Sequence, residues 1–330
     1  MLNTQWRLPN WLPAVTRPCP DAGEPPLRGE LFSVEQLARH AKSLASLHQN
    51  QVVTRRGSTQ LLSRLVENEA ILRAFNRSSL GVNANRRITA AAEWLLDNFY
   101  LIEEQIQMTR RHLPRGYSRE LPRLLNGASL GMPRVYDIVL ELISHVDAQI
   151  DLNTLHAFIE AYQTVVPLKL GELWAIPIML RLGLIENLQR ITTRLTRARE
   201  DRDLADRWVE RLRDMAEKRP SHLVVVVADM ARASLPVSCS FVAEFCQRLS
   251  LQSPVLHFAR SWLEQRLVEQ GRSIEQLVHQ ESQQQAADQV SVSHSIASLR
   301  QLSASDWKEF VEGLSEVEAI LRRDPAGVDP

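Results

Sequence analysis

The chain has 330 residues, 44% of them hydrophobic, enough for one large or two ordinary domains with a sizeable core. Lys+Arg and Asp+Glu both number 39, and a net charge of zero excludes the global field that draws a protein to nucleic acid or to an acidic lipid surface. Only 12 glycines and few turn-bounded β-branched runs argue for helix rather than sheet.

Residues 1–29 hold Pro9, Pro13, Pro18, Pro20, Pro25 and Pro26 with little periodicity and are expected to form a disordered leader. Order is expected from residue 30. There "SVEQ" forms a capping box of Ser33 and Gln36, followed by Leu37, Ala38, Ala41, Leu44 and Ala45 at spacings of three and four. The periodicity predicts further helices over 59–79, 86–112, 133–146, 153–165, 171–199 and 204–218. Together these make a main helical domain over 30–218. Pro220, Pro236 and Pro254 then punctuate a subdomain of shorter helices over 219–330, with a second capping box at Ser273 and Gln276. Leu223–Val227 is the one strand candidate, with a buried helix as the favoured reading. The Gln-rich stretch 280–289 reads as an exposed helix or linker, and 305–322 as a last amphipathic helix. The expected fold is all-α: an irregular multi-helix bundle of helical hairpins around a buried central helix.

Cys19, Cys239 and Cys246 make an odd count that implies no disulfide framework. The last two are seven apart, on what reads as one buried helix face. Nine histidines without an H-x-x-x-H or C-x-x-C pairing predict no metal site, and nothing predicts a cofactor. No segment reaches the length of a membrane helix and no signal peptide is recognisable, so a soluble, cytoplasmic segment is expected. Phosphate-loop, G-x-S-x-G and H-E-x-x-H signatures are missing. "DRD" at Asp201–Asp203 lies in a charged helical stretch instead of at the end of a strand, where a metal-binding pair belongs. No catalytic residue is predicted.

Two stretches stand out. In "AAEWLLDNFYLIEEQIQM", Glu93, Asp97 and Glu104 share a helix stripe beside Trp94. In "GELWAIPIMLRLGLIENLQRI", an apolar helix carries Glu172, Trp174, Arg181 and Glu186. Arg181 and Glu186 are five apart and point to different sides. The expectation is therefore that Arg181 pairs with Glu93, Asp97, Glu103 or Glu104, since a buried charge without a partner is costly. Pro177 is expected to make the Trp174 segment a bend.

These same stretches, with "EPPLRGELFSVEQLARHAKSLA", "YSRELPRL", "MPRVYDI" and "SIASLRQLSASDWKEFVEGLSEVEAILRRDPAGV", resemble the N-terminal cytoplasmic region of the bacterial cyclic β-1,2-glucan synthases. The resemblance runs from Glu24 to Val328. It implies a large inner-membrane glycosyltransferase that builds a glucan from UDP-glucose and carries a separate phosphorylase-like domain. This chain departs from the pattern after Val328, so none of the family's catalytic residues carries over, and the match implies a fragment or a truncated product. The resemblance further implies a non-catalytic domain at the inner membrane face, supporting or regulating the membrane-embedded remainder of the enzyme. Glu93, Trp94, Asp97, Glu172, Trp174, Arg181 and Glu186 are the candidate structural or interaction residues, with core packing the competing reading. Other readings remain open: a glucan-binding module using Tyr117 and Tyr136, a helical protein-interaction scaffold, or contact of Arg110, Arg111, Arg115, Arg119 and Arg123 with anionic lipid headgroups. No reading involves nucleic acid.

Overall fold

Ser33 accepts from the Gln36 backbone N–H (3.3 Å) while the Gln36 side chain accepts from the Ser33 N–H (2.8 Å). Ser273 and Gln276 repeat the arrangement at 3.2 and 3.1 Å. Both predicted capping boxes thus open helices, each satisfying donors that the first turn leaves without a partner. The computed structural model describes residues 24–49, 52–53, 60–80, 88–113, 120–125, 127, 129–233, 235–250 and 256–315. Most of the predicted leader, Cys19, Tyr117, Arg115, Arg119 and the end of the last predicted helix lie outside them.

The described residues form twelve helices: α1 (Val34–Gln49), α2 (Leu61–Leu80), α3 (Ala90–Asp97), α4 (Phe99–His112), α5 (Arg134–His145), α6 (Leu152–Gln163), α7 (Leu170–Lys218), α8 (Leu223–Arg232), α9 (Cys239–Ser250), α10 (His257–Val268), α11 (Ile274–Ala304) and α12 (Trp307–Leu314). One antiparallel pair of two-residue strands, β1 (Val52–Val53) and β2 (Arg123–Leu124), is added to them. The fold is all-α, and no described helix is long and apolar enough to cross a membrane.

Chain contacts define two compact units: Glu24–Arg194 with the residues from Ala286, and a smaller unit whose described part is Leu195–Gln285. In the larger unit the middle of α7 is buried on nearly every side, with Ile176, Met179, Leu180, Leu184, Ile185 and Leu188 inaccessible, as a largely apolar helix segment requires, while Leu170 and Trp174 near its start stay exposed. Gly183 lets α5 approach closely: a Cβ there would lie 2.6 Å from Ile143 Cδ1 and 3.3 Å from Leu140 Cδ2. The α11 residues of this unit meet the rest through small polar side chains. Ser291 and Ser295 accept from Asn187 Nδ2 (3.2 and 3.1 Å), and Ser298 bridges the Ile150 N–H (2.8 Å) to the Ala148 carbonyl (2.7 Å). Asp147 and Ala148 adopt φ of 47° and 60°, an uncommon conformation for non-glycine residues that this bridge helps to hold.

The smaller unit is built on apolar packing. Leu212, Val226, Met230, Phe241, Phe245 and Leu267 form its core, and the Phe241 and Phe245 rings stack at 5.5 Å. Cys246 is buried there, which pushes its thiol up to about 11, whereas Cys239 is only half-buried, so the two do not share one fully covered face.

Several boundaries differ from expectation. Leu223–Val227 is helical, as favoured. The predicted helix over 86–112 divides at Asn98, whose backbone N–H and side-chain Nδ2 both turn back onto the Trp94 carbonyl. The predicted helices 171–199 and 204–218 are one 49-residue helix, because the charged stretch between them lies half-buried instead of in a loop. Of the two readings of the Gln-rich stretch, helix holds: it lies in the first half of the 31-residue α11, and Glu281 and Asp288 on it are buried. Pro177 lies well inside α7 and Trp174 is helical, so the expected bend at Trp174 is replaced by continuous helix.

Candidate functional site

In the larger unit, a cleft of about 450 Å³ is lined by Glu24, Arg64, Met132, Tyr136, Glu141 and Arg190, among others. Three of the lining residues, Arg64, Tyr136 and Arg190, converge on the buried Glu186, 2% exposed. The i,i+4 spacing on α7 places Arg190 beside it, with Nη2 donating to Glu186 Oε1 at 2.6 Å. From α2, Arg64 grips both carboxylate oxygens, with Nε 3.3 Å from Oε2 and Nη2 on Oε1. From α5, the Tyr136 hydroxyl donates to Oε2. Glu24 closes the cluster against Arg190 and, at 3.5 Å, Arg64.

Two arginines and two glutamates balance in charge. Burial alone would raise the Glu186 pKa, but hydrogen bonds from Tyr136 and Arg64 and the charges of Arg64 and Arg190 hold it below the ordinary carboxylate range. Burial together with the charge of Glu186 pushes the Tyr136 phenol well above its usual value, so it remains a donor. Glu186 is thus an ionised anchor whose lone pairs are occupied, not a proton carrier.

Glu172 is the second anchor. It is fully buried and takes a bidentate grip from Arg134, Nε to Oε1 at 2.6 Å and Nη2 to Oε2 at 2.7 Å, plus the Lys169 N–H at 3.0 Å. The charge-assisted fork ties the start of α7 to the start of α5. Against the desolvation that pulls the other way, the hydrogen bond and charge of Glu172 keep the Arg134 pKa raised.

The structure corrects the expected pairing of Arg181. Its Nε donates to Gln105 Oε1 (3.1 Å), Nη2 to the Leu302 carbonyl (3.0 Å) and Nη1 to the Pro177 carbonyl (3.3 Å). Among the described residues no carboxylate pairs with it, and burial lowers its pKa. The acidic stripe goes elsewhere: Glu93, Asp97 and Glu104 are exposed, and Glu103 pairs with Arg73 at 3.2 Å. Trp94 and Trp174 are also exposed, at 43% and 42%. Tyr136 is buried, which removes it as an exposed sugar platform. Of the basic segment, Arg110 is engaged by Glu69 and Arg123 is buried.

No protein-family model matches the chain. It is 31% identical over 314 residues to the cyclic β-(1,2)-glucan synthase NdvB of Rhizobium meliloti (strain 1021). The chain matches a region of a cyclic glucan synthase. The alignment takes in 92% of this chain and 11% of NdvB, so the chain spans about a ninth of the length of that synthase.

The two anchors fall within the stretches through which the chain resembles the cyclic glucan synthases: Tyr136 and Arg134 in "MPRVYDI", and Glu172, Glu186 and Arg190 in "LGELWAIPIMLRLGLIENLQRI". Sequence reasoning picked out Glu172 and Glu186 but missed Arg64, Tyr136, Arg134 and Arg190 as their partners. The i,i+4 step from Glu186 to Arg190 was the available signal. The other three lie 38 to 122 residues away in sequence.

Proposed function

We propose that the chain is a non-catalytic helical module of a cyclic β-(1,2)-glucan synthase, which supports or regulates UDP-glucose-dependent glucan synthesis by the membrane-embedded remainder at the cytoplasmic face of the inner membrane. The similarity to NdvB along 92% of the chain carries this reading. The interior supports its non-catalytic part. A general acid or base needs a pKa near the working pH and a lone pair or proton to give, whereas Glu186 is held ionised and Glu172 and Glu186 are both occupied by arginine donors. Trp94 and Trp174 are the aromatic candidates for contact with the rest of the enzyme, being large, apolar and solvent-facing.

The test is to delete the matching segment from a full-length synthase, supply this chain in trans, and follow glucose incorporation from UDP-glucose into glucan. Activity should fall on deletion and return with the chain, and return less with Trp94→Ala and Trp174→Ala combined. Undiminished synthesis after deletion would overturn the proposal.

A second reading, that the module holds a glucan segment, is favoured by one observation: the cleft combines Arg64, Arg190 and Glu24 with the apolar Met132, the mixture that polyol pockets use. Binding of a linear β-1,2-glucan that is lost in Arg64→Ala would support it. Equal binding by both chains would remove it.

A further inference from the structure

Glu141, which also lines the cleft, belongs to a second cluster, in which two helices bring three ligand-type side chains together. Glu141 and His145 are one turn apart on α5 and so share a face, and His40 reaches them from α1. One ligand atom from each lies within 4.8 Å of the other two. His40 Nε2 is 2.9 Å from Glu141 Oε2, and His145 Nε2 is 3.6 Å from the same oxygen.

The surroundings fix the rings. His145 Nδ1 is 2.7 Å from the Glu30 carbonyl, which can only accept, so Nδ1 carries the hydrogen. In the neutral ring Nε2 is then a lone pair facing a carboxylate oxygen at 3.6 Å, a repulsion that either a proton or a metal cation between them relieves. A backbone carbonyl on the far nitrogen is also how proteins orient a metal-binding histidine. Phe32 stacks on the His145 ring at 3.9 Å and 7°, and meets His40 edge-on at 5.5 Å. The strap that carries Glu30 and Phe32 is tied to α5 by Gly29 N–H to the Ser144 carbonyl (2.9 Å) and Phe32 N–H to the His145 carbonyl (3.1 Å). Gly29 fits because any Cβ there would stand 3.0 Å from His145 Cε1.

The geometry points to a divalent transition-metal site, of the zinc class, formed by His40 Nε2, Glu141 Oε2 and His145 Nε2, with water completing the coordination. Two imidazoles and one carboxylate are the borderline donor set that zinc and cobalt accept. Bonds of ~2.0–2.1 Å place tetrahedral ligands about 3.3 Å apart, so the His40–Glu141 pair opens and the His145–Glu141 pair closes by only a few tenths of an ångström. Both histidines and the glutamate are half-buried, which leaves room for the water ligand. The ion would fasten α1 and the strap to the last turn of α5.

The test uses the 330-residue chain without a polyhistidine tag, stripped by a chelator and titrated with Co²⁺ as a spectroscopic probe, then with Zn²⁺ in competition. Expected is one equivalent of Co²⁺ with the visible d–d absorption of a four-coordinate ion, displaced by Zn²⁺, and a higher thermal midpoint with metal. His40→Ala and His145→Ala should each abolish the spectrum. Glu141→Gln, which keeps size and hydrogen bonding, and Gly29→Ala, which crowds His145, should each weaken affinity ~10-fold or more while the metal-free chain keeps its helical circular dichroism. Absence of saturable absorption, a spectrum that survives both histidine variants, or thiolate-to-cobalt charge transfer from Cys239 would each overturn the assignment.

Discussion

Among the described residues, the larger unit buries seven charged side chains, Glu69, Arg123, Arg134, Glu172, Arg181, Glu186 and Asp288, whereas the smaller unit buries one, Glu281, which is met by Arg202 (3.3 Å) and Ser240 (2.8 Å). The smaller unit's remaining interior is the Phe241 and Phe245 cluster. Apolar burial is non-directional and tolerates rearrangement, so it supplies stability without fixing which atoms face which. Buried ion pairs supply little net stability over apolar substitutes, yet losing one partner is costly because the other is stranded. The larger unit is therefore the one in which single polar residues decide geometry, and it holds both the cleft and the His40–Glu141–His145 cluster.

The sharpest way to break this contrast is a matched pair of truncations. Glu172→Ala strands Arg134, which is 5% exposed, and is expected to cost ~3–5 kcal/mol in denaturant unfolding. Phe241→Ala in the smaller unit is expected to cost a similar ~3–5 kcal/mol through the cavity it leaves. The difference lies in the rescue: replacing Arg134 and Glu172 together by Met and Leu should recover most of the loss. If that double variant is no more stable than Glu172→Ala, the ion pair contributes net stability and the contrast fails.

Arg181 sharpens the comparison from within the larger unit, because among the described residues its charge is met only by uncharged oxygens. Arg181→Met should cost about 1–3 kcal/mol, the scale of leaving the buried Gln105 Oε1 without a donor, since the Leu302 carbonyl keeps the Trp307 Nε1–H at 2.9 Å. In a double-mutant cycle it should couple to Gln105→Leu and not to Glu103→Ala, since Glu103 belongs to Arg73. Coupling to Glu103 would restore the ionic account.

Acid should separate the units by sign. Glu186 is held below the ordinary carboxylate range, so its stabilisation is complete above the unfolded pKa of about 4.3 and disappears as pH falls through the lower folded value. Asp206 in the smaller unit is displaced upward, chiefly by burial, against the opposing charge of Arg248. Its contribution is present below the unfolded pKa and lost as pH rises through the folded one. Hydrogen exchange, corrected for the intrinsic rate, should lose protection around Tyr136 and Glu186 below about pH 4 before it does so around Asp206. The reverse order would mean that other groups dominate.

How much of this was legible follows from the range of each interaction. Capping boxes are local, and both were readable at Ser33 and Ser273. A helix segment that is apolar on nearly every side must be central, and the middle of α7 is. The lone Arg181 was recognisable as an anomaly, but beyond the Pro177 carbonyl of its own helix its acceptors are a glutamine 76 residues away and a backbone carbonyl 121 residues away, none of which charge pairing can find. The charged stretch after residue 199 and the Gln-rich stretch read as solvent-facing, yet α7 and α11 run through them with Arg202, Glu281 and Asp288 turned inward to partners that periodicity does not show. The His40–Glu141–His145 cluster escaped a search for i,i+4 histidine pairs, since its one-turn step joins a glutamate to a histidine and its third member comes from α1.

The smallest expected effect is also the control. Ser33 caps α1 in the larger unit and Ser273 caps α11 in the smaller one, with near-identical hydrogen bonds that are exposed in both. An N-cap acts on the first turn alone, so its loss should not depend on whether the interior behind it is ionic or apolar. Ser33→Ala and Ser273→Ala are each expected to cost about 1 kcal/mol, equal within measurement error. An equal loss leaves the interiors as the source of every larger difference between the units. A markedly larger loss at Ser33 would place the difference partly in the anchoring of α1, the helix that carries His40 to Glu141.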